Sequence, residues 1–175
     1  YLRDVTRSLS RLSKGSRRAG SCDLAEVVNG SRAFLHALVD NVKPGIDLSI
    51  RARRGLPKTE TATIALDELT ALRIVSNLVE NAAIWCRSED HPKVTVTVTP
   101  STRGGPGPSI DSERTDADFV LLRVADTGAG VRSSDRGRSS QRGWTNRRED
   151  GGSGLGLHIE RRAVEEAGGW IEEEG

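Results

Sequence analysis

Residues 67–86 read DELTALRIVSNLVENAAIWC, and the rest of the chain is arranged around them. Leu69, Leu72, Val75, Leu78, Val79 and Ala82 recur on one side of a 3.6-residue helix, so this stretch is predicted to be the strongest helix, with Asp67 at its head. Asn77 and Asn81 stand four apart and project from one face, one turn from each other. Amide oxygens are neutral, hard ligands that suit Mg²⁺, which usually keeps waters and phosphate oxygens as its other partners. Taken alone, the pair also fits a plain polar stripe on a helix.

Reading toward the C-terminus, VTVTVT from Val94 to Thr99 alternates strictly, the pattern of a half-buried strand. A Gly/Pro/Ser stretch from Pro100 to about Thr115 reads as a hairpin loop. Phe119 to Ala125 is apolar on both faces apart from Arg123, which suits a central strand. It runs into Asp126-Thr127-Gly128-Ala129-Gly130. A carboxylate there can accept from an exocyclic amine such as that of adenine, and the glycines let backbone approach a ligand closely. An ordinary Asp-Gly turn leaving a strand has the same letters.

After a polar, Arg-rich and Gly-rich segment comes Gly151-Gly152-Ser153-Gly154-Leu155-Gly156-Leu157, opening a helix to about Ala167. Glycine-rich backbone at a helix N-terminus presents unpaired N–H groups and the positive end of the dipole to phosphate. It is not a Walker loop, since no Lys-Ser/Thr follows, and no strand precedes it as a Rossmann turn requires. A short strand is expected to start at Gly169-Trp170-Ile171.

Toward the N-terminus, Thr63 to Leu66 and the alternating Ile46, Leu48 and Ile50 read as strands. LAEVVNGSRAFLHALVD reads as one helix, capped by Asp23 with Glu26 at capping-box spacing and ended by Pro44-Gly45. Leu2, Val5, Leu9 and Leu12 follow a 3-4-3 seam, the tail of a helix that packs on a partner helix, and the Ser/Arg/Gly run to Ser21 is the linker candidate. Strands alternating with helices give a two-layer α/β sandwich.

Composition narrows the function classes. Lys+Arg 26 against Asp+Glu 25 leaves a net charge of +1, so no global field draws the chain to nucleic acid or acidic membrane. No apolar run nears the roughly 20 residues of a membrane span. Cys22 and Cys86 are far apart with no CxxC, which argues against a disulfide framework or zinc site and for a reducing, cytoplasmic setting. The 19 glycines exceed the roughly 7% average, and many fall late, in the segments just described.

NLVENA, VADTGAGV and GGSGLGLHI, in this order, resemble the N, G1 and G2 boxes of the GHKL ATP-binding superfamily, above all the catalytic domain of sensor histidine kinases. DLAEVV, RGWTNRRED and VEEAGGWIE extend the resemblance over most of the chain. It implies a Bergerat-type α/β sandwich, a mixed and mostly antiparallel sheet covered by about three helices, with an ATP lid between the G1 and G2 boxes. It also implies ATP and Mg²⁺ as cofactors. Residues 1–20 would end a dimerisation helix and its linker. Residues 21–175 would form the ATP domain, stopping before the family's last strand.

Residue by residue, the resemblance makes Asn81 the Mg²⁺ ligand and Asn77 a support for the metal–phosphate arrangement. Glu80 is acidic and adjacent, as in many such kinases, and joins them as a catalytic candidate, although it lies about 100° around the helix from Asn81. Asp126 would read adenine, with Gly128 and Gly130 shaping its pocket. Gly152, Gly154, Leu155 and Gly156 would line the phosphates under a lid from about Val131 to Gly152. Trp85 falls where the kinases often carry an aromatic near the nucleotide; a core or rim aromatic reads the same way. Of the lid arginines Arg142, Arg147 and Arg148, Arg147 is the phosphate candidate.

Two departures stand out. Ile84 replaces the residue that is commonly basic in these kinases, and Asn77 sits where hydrolytic superfamily members carry a water-activating Glu. A site without that base fits phosphotransfer to a protein better than hydrolysis. His36, His91 and His158 lack an acceptor motif and read as structural or solvated, so the phosphoacceptor histidine is expected on a dimerisation domain upstream. The implied function is γ-phosphate transfer to that histidine in a homodimer, with a response regulator downstream and any membrane anchor lying in other segments. The alternatives are a degenerate nucleotide-binding scaffold, which Ile84 motivates, and a GHKL protein-serine kinase or ATPase.

Overall fold

The computed structural model describes residues 20–52, 62–101, 119–129 and 156–171, the side chains of 100, 101, 119 and 156–158 excepted. The expected seam at Leu2 to Leu12, the 100–115 loop beyond Ser101 and the lid at 131–152 lie outside them.

In chain order, β1 (Cys22–Asp23) leads into α1 (Leu24–Gly30) and α2 (Arg32–Val42). Then come β2 (Asp47–Ala52), β3 (Thr63–Ile64) and α3 (Glu68–Cys86). β4 (Lys93–Ser101), β5 (Phe119–Asp126) and α4 (Gly156–Glu166) complete the described elements. The main sheet has the order β2-β4-β5, with β2 parallel and β5 antiparallel to β4, while β1 and β3 form a separate antiparallel pair. Helices cover one face, giving the two-layer α/β sandwich of Bergerat type. No described helix is long and apolar enough to cross a membrane.

The core forms where α1, α2 and α3 meet the sheet. Val94, Val96 and Val98 of β4 all face inward and are buried, while the Thr residues between them stay partly or fully in solvent. They pack in one cluster with Val27, Val28, Leu35, Val39, Val75, Val79 and Ala82. The period-two pattern of β4 therefore does what alternation predicts, presenting one apolar face to the helices.

The expected single N-terminal helix is two helices, which raises the expected three to four. Asp23 caps α1, its Oδ1 accepting from the N–H groups of Ala25 at 2.8 Å and Glu26 at 3.1 Å. At Ser31 the backbone leaves helical geometry, with φ −95° and ψ 9°. Asn29, Gly30 and Ser31 are weak helix formers. The buried Asn29 amide donates to the Ala52 carbonyl and accepts two bonds from Arg32, which also reaches the Ile50 carbonyl. Polar ties to β2 thus hold the chain where helix propensity fails. Pro44-Gly45 ends α2 as expected, with Gly45 at φ 91°, a conformation that favours glycine.

α3 begins at its expected cap: Asp67 accepts from the Thr70 N–H at 2.9 Å and hydroxyl at 2.6 Å, and the Thr70 hydroxyl bond is the main cause of its lowered pKa. Its buried stripe is rotated from the expected one. Leu69 is 47% exposed and Leu72 and Leu78 are only partly covered, whereas Ala71, Ile74, Ala83 and Cys86 are buried. Small Ala side chains let the helix approach its neighbours closely, so the contact face follows packing rather than the bulkiest residues.

β5 also departs from expectation. Among the described residues β4 takes the middle of the sheet and β5 an outer position, with Leu121 50% exposed. Apolar residues on both faces report what covers the faces, not how many neighbours the strand hydrogen-bonds. Trp170 and Ile171 follow α4 as irregular chain rather than opening a strand.

Candidate functional site

Eight residues of α3 separate Asn77 from Trp85, about 12 Å along the axis. Each end of this interval receives a different part of the chain. At the Trp85 end, β5 finishes on Asp126, paired with Val94 of β4. The turn that follows is pinned to the start of β4: the Thr127 N–H donates to the Lys93 carbonyl at 3.1 Å, and the Lys93 N–H donates to the Thr127 hydroxyl oxygen at 3.0 Å. That hydroxyl donates in turn to the His91 carbonyl at 3.4 Å.

Asp126 Oδ1 then accepts from the Gly128 N–H at 2.8 Å, an Asx-type turn that fixes the carboxylate. Gly128 lies against α3 so closely that an added Cβ would stand 2.8 Å from the Trp85 carbonyl oxygen and 2.8 Å from Asp126 Oδ1. Only glycine fits between these two oxygens. The requirement here is close approach, not an unusual φ. Asp126 stays exposed, and Trp85, whose carbonyl lies against Gly128, is itself 44% exposed. Beneath them the Cys86 thiol is buried, and burial, followed by the nearby Asp126 charge, raises its pKa.

At the other end, Asn77 meets α4. Its Nδ2 donates to Oε1 of Glu160, joining two residues far apart in the chain. Glu160 is 1% exposed, and burial pushes its carboxyl pKa up to about 6, against the opposing effects of the Asn77 bond and the Arg73 charge. Sequence reasoning missed Glu160, although a signal existed. Ala163, Val164 and Ala167 lie three, four and seven positions after it, so Glu160 is an acid on the inward stripe of α4. Ile159, which the motif makes more conspicuous, is 46% exposed.

Between the two ends, Asn81 is partly exposed one turn from Asn77 on the same side of α3. Ile84 is half-buried and lies about 20° around the helix from Asn77. Glu80 is exposed and turned away from Asn81. The structure thus brings Asn77, Asn81, Trp85, Asp126 and Gly128 to one helix, and Gly156 opens α4. Gly130, Arg142, Arg147, Arg148, Gly152, Gly154 and Leu155 lie outside the described residues. His36 and His91 are exposed, as expected of solvated side chains.

Chemically, the Trp85 end offers an anchored, exposed carboxylate and an exposed aromatic residue, over backbone with no room for a side chain. The Asn77 end offers neutral amide oxygens. Among the described residues no group of three His, Cys, Asp or Glu side chains could hold a metal. A cation at Asn81 would complete its shell with water or ligand oxygens, which is how Mg²⁺ is ordinarily held. These donors and the cradle at Gly128 fit a magnesium–nucleotide pair.

Residues 66–175 match the model of the histidine kinase-, DNA gyrase B- and HSP90-like ATPase family. Among solved structures, the chain is similar to a mycobacterial sensor histidine kinase, MprB, with a TM-score of 0.60 and 22% identity over 86% of this chain and 81% of that one. It is also similar to the nucleotide-free catalytic domain of the histidine kinase ThkA, with a TM-score of 0.60 and 19% identity over 89% of this chain and 88% of that one.

Proposed function

Since the chain belongs to the histidine kinase-, DNA gyrase B- and HSP90-like ATPase family, we propose that it is the MgATP-binding catalytic domain of a two-component sensor histidine kinase. Residues 21–175 form that domain, residues 1–20 its connection to a dimerisation helix, and the γ-phosphate passes to a histidine on the dimerisation domain of a cytoplasmic homodimer. The observation that supports this best is the use of one helix for two motifs: the Asp126–Gly128 turn seats on the Trp85 carbonyl, and α4 docks on Asn77 about 12 Å away. In this reading the interval separates an adenine-reading carboxylate at the Trp85 end from phosphate-facing amides at Asn81 and Asn77.

In this reading Asp126 accepts from the adenine amine, and Gly128 leaves room for the base. Asn81 holds the cation, supported by Asn77, while Gly130, Gly152, Gly154, Leu155, Gly156 and Arg147 meet the phosphates. Mg²⁺, when bound, neutralises charge on the phosphate oxygens. The protein's own contribution is positioning, with no side chain among the described residues placed to activate water: the residue four before Asn81 is Asn77, and its amide is engaged with Glu160. This disfavours the hydrolytic and serine-kinase alternatives. The half-buried, uncharged Ile84 favours a second reading, a scaffold that binds nucleotide without transferring phosphate.

The deciding experiment titrates the protein with MgATP and repeats the titration on Asp126→Asn. Binding that weakens in the variant is expected; no detectable binding by the wild type overturns both readings. Acid-labile phosphohistidine on an added dimerisation domain then separates the kinase from the scaffold.

A further inference from the structure

We propose that Glu160 is a positioning residue that orients the side-chain amide of Asn77, so that the carbonyl oxygen Oδ1, and not the NH₂ group, is what Asn77 offers to a ligand. The inference rests on the reading of Asn77 and Asn81 as the phosphate-facing pair, and it goes beyond that reading by naming what sets Asn77. An amide side chain has a donor and an acceptor branch of nearly equal shape, and either can face outward. Its partner decides which. An ionised carboxylate only accepts, so Glu160 Oε1 captures Nδ2 and turns the other branch away.

Three observations support the assignment. Glu160 comes from α4, not from a neighbouring turn of α3, so the contact also ties the amide to the helix that the second glycine motif opens. The carboxylate is 1% exposed, with Oε2 buried and without a hydrogen-bond partner among the described residues, a costly arrangement to keep for packing alone. Arg73, one turn before Asn77 on α3, is the charged group of that helix that acts on Glu160 and favours its ionised, acceptor-only form. An apolar side chain at position 160 would match the rest of the inward stripe and would leave the Asn77 amide free to rotate.

The role predicts a split that a purely structural contact would not give. In Glu160→Val the amide loses its guide, and affinity for MgATP is expected to fall roughly tenfold, the usual scale for losing an outer partner of a ligating group. Affinity for adenosine, which reports only the Asp126 end, is expected to stay unchanged. In Glu160→Gln the side-chain volume is kept, yet the new NH₂ can face Oδ1 and reverse the amide, so MgATP binding is expected to weaken several-fold with adenosine binding intact. In an Asn77→Ala background neither Glu160 substitution is expected to have a further effect on MgATP.

A nucleotide-free readout accompanies the titrations. The side-chain NH₂ resonance of Asn77, assigned by its loss in Asn77→Ala, is expected to be shifted downfield and slow to exchange in the wild type, and to move in Glu160→Gln. Equal losses of adenosine and MgATP affinity, additive effects with Asn77→Ala, or an Asn77 NH₂ signal identical in wild type and Glu160→Gln would overturn the proposal. A wild type that binds no nucleotide while its Asn77 signal behaves as expected overturns the nucleotide reading but leaves the Glu160–Asn77 orientation standing.

Discussion

The two ends of α3 are built by different means. At Trp85 the site is held by backbone: a ladder pair at Asp126, carbonyl and N–H bonds from Lys93, and a glycine with no room for a Cβ. At Asn77 it is held by a side-chain contact between helices, Asn77 to Glu160, around a buried carboxylate. The backbone end can hardly be adjusted without being lost. The side-chain end can be tuned one atom at a time, and its chemistry depends on protonation. Substitutions at the two ends are therefore expected to differ in size and in which part of a nucleotide they affect.

The largest effect belongs to Gly128→Ala. A methyl group 2.8 Å from the Trp85 carbonyl oxygen must displace either the turn or the end of α3. Overpacking of this kind costs about 2–3 kcal/mol, which at ~1.4 kcal/mol per decade is a loss on the order of a hundredfold. Adenosine and MgATP affinities are expected to fall together, with a lower melting temperature. Retained adenosine binding would show that the backbone end is not rigid and would break the contrast.

Asp126→Asn should cost less. The Asn oxygen can still accept from Gly128 N–H, but its NH₂ then faces the ligand's amine, donor against donor. Losing a hydrogen bond to a charged acceptor is worth about 2 kcal/mol, roughly thirtyfold. Adenosine and MgATP should again weaken equally, because the substitution touches the base and not the phosphates. Isothermal titration with the two ligands reads the ratio directly.

The same contrast explains what could be read from the sequence. Asp126 to Gly128 are consecutive residues, so the chemistry of the turn is visible as a word in the chain. The caps at Asp23 and Asp67 and the alternation of β4 are local for the same reason, and all were legible. Glu160 and Asn77 meet only because α4 packs on α3, and no local rule joins them. The turn at Ser31, the rotation of the α3 stripe away from Leu69 and the outer position of β5 among the described strands likewise follow from tertiary contacts that override periodicity. The acid on the inward stripe of α4 was the single local sign of the Asn77 contact.

Protonation sharpens the contrast further. Glu160 has its pKa raised to about 6 in the folded chain from a reference of 4.5. The folded state therefore binds this proton more tightly than the unfolded state. The penalty is absent below about pH 4.5, grows as pH rises, and is complete above about pH 6, where it reaches about 2 kcal/mol. Wild type minus Glu160→Gln, measured as unfolding free energy in urea, is expected to fall by this amount between pH 4.5 and pH 7. A flat difference would mean that the carboxylate is solvated and that the Asn77 end is no more tunable than the other.

The smallest effect comes from Ile84→Lys, which asks whether the Asn77 face of α3 lacks a charge. Ile84 lies about 20° from Asn77 around α3, on the side that faces the phosphates in the proposed reading. Because it is half-buried, the aliphatic stem of Lys can lie where Ile lay while the ammonium reaches solvent. An exposed charge pair is worth up to about 1 kcal/mol, so MgATP affinity should rise about threefold to fivefold. Adenosine affinity should not change, since adenosine carries no phosphate for the new charge to meet. The gain should shrink with added salt, as an exposed electrostatic contribution does. If phosphohistidine formation appears only in the Lys variant, the wild type is the scaffold of the second reading. If the wild type transfers phosphate and Lys merely tightens binding, the amide pair and backbone N–H groups suffice without a cation at this position.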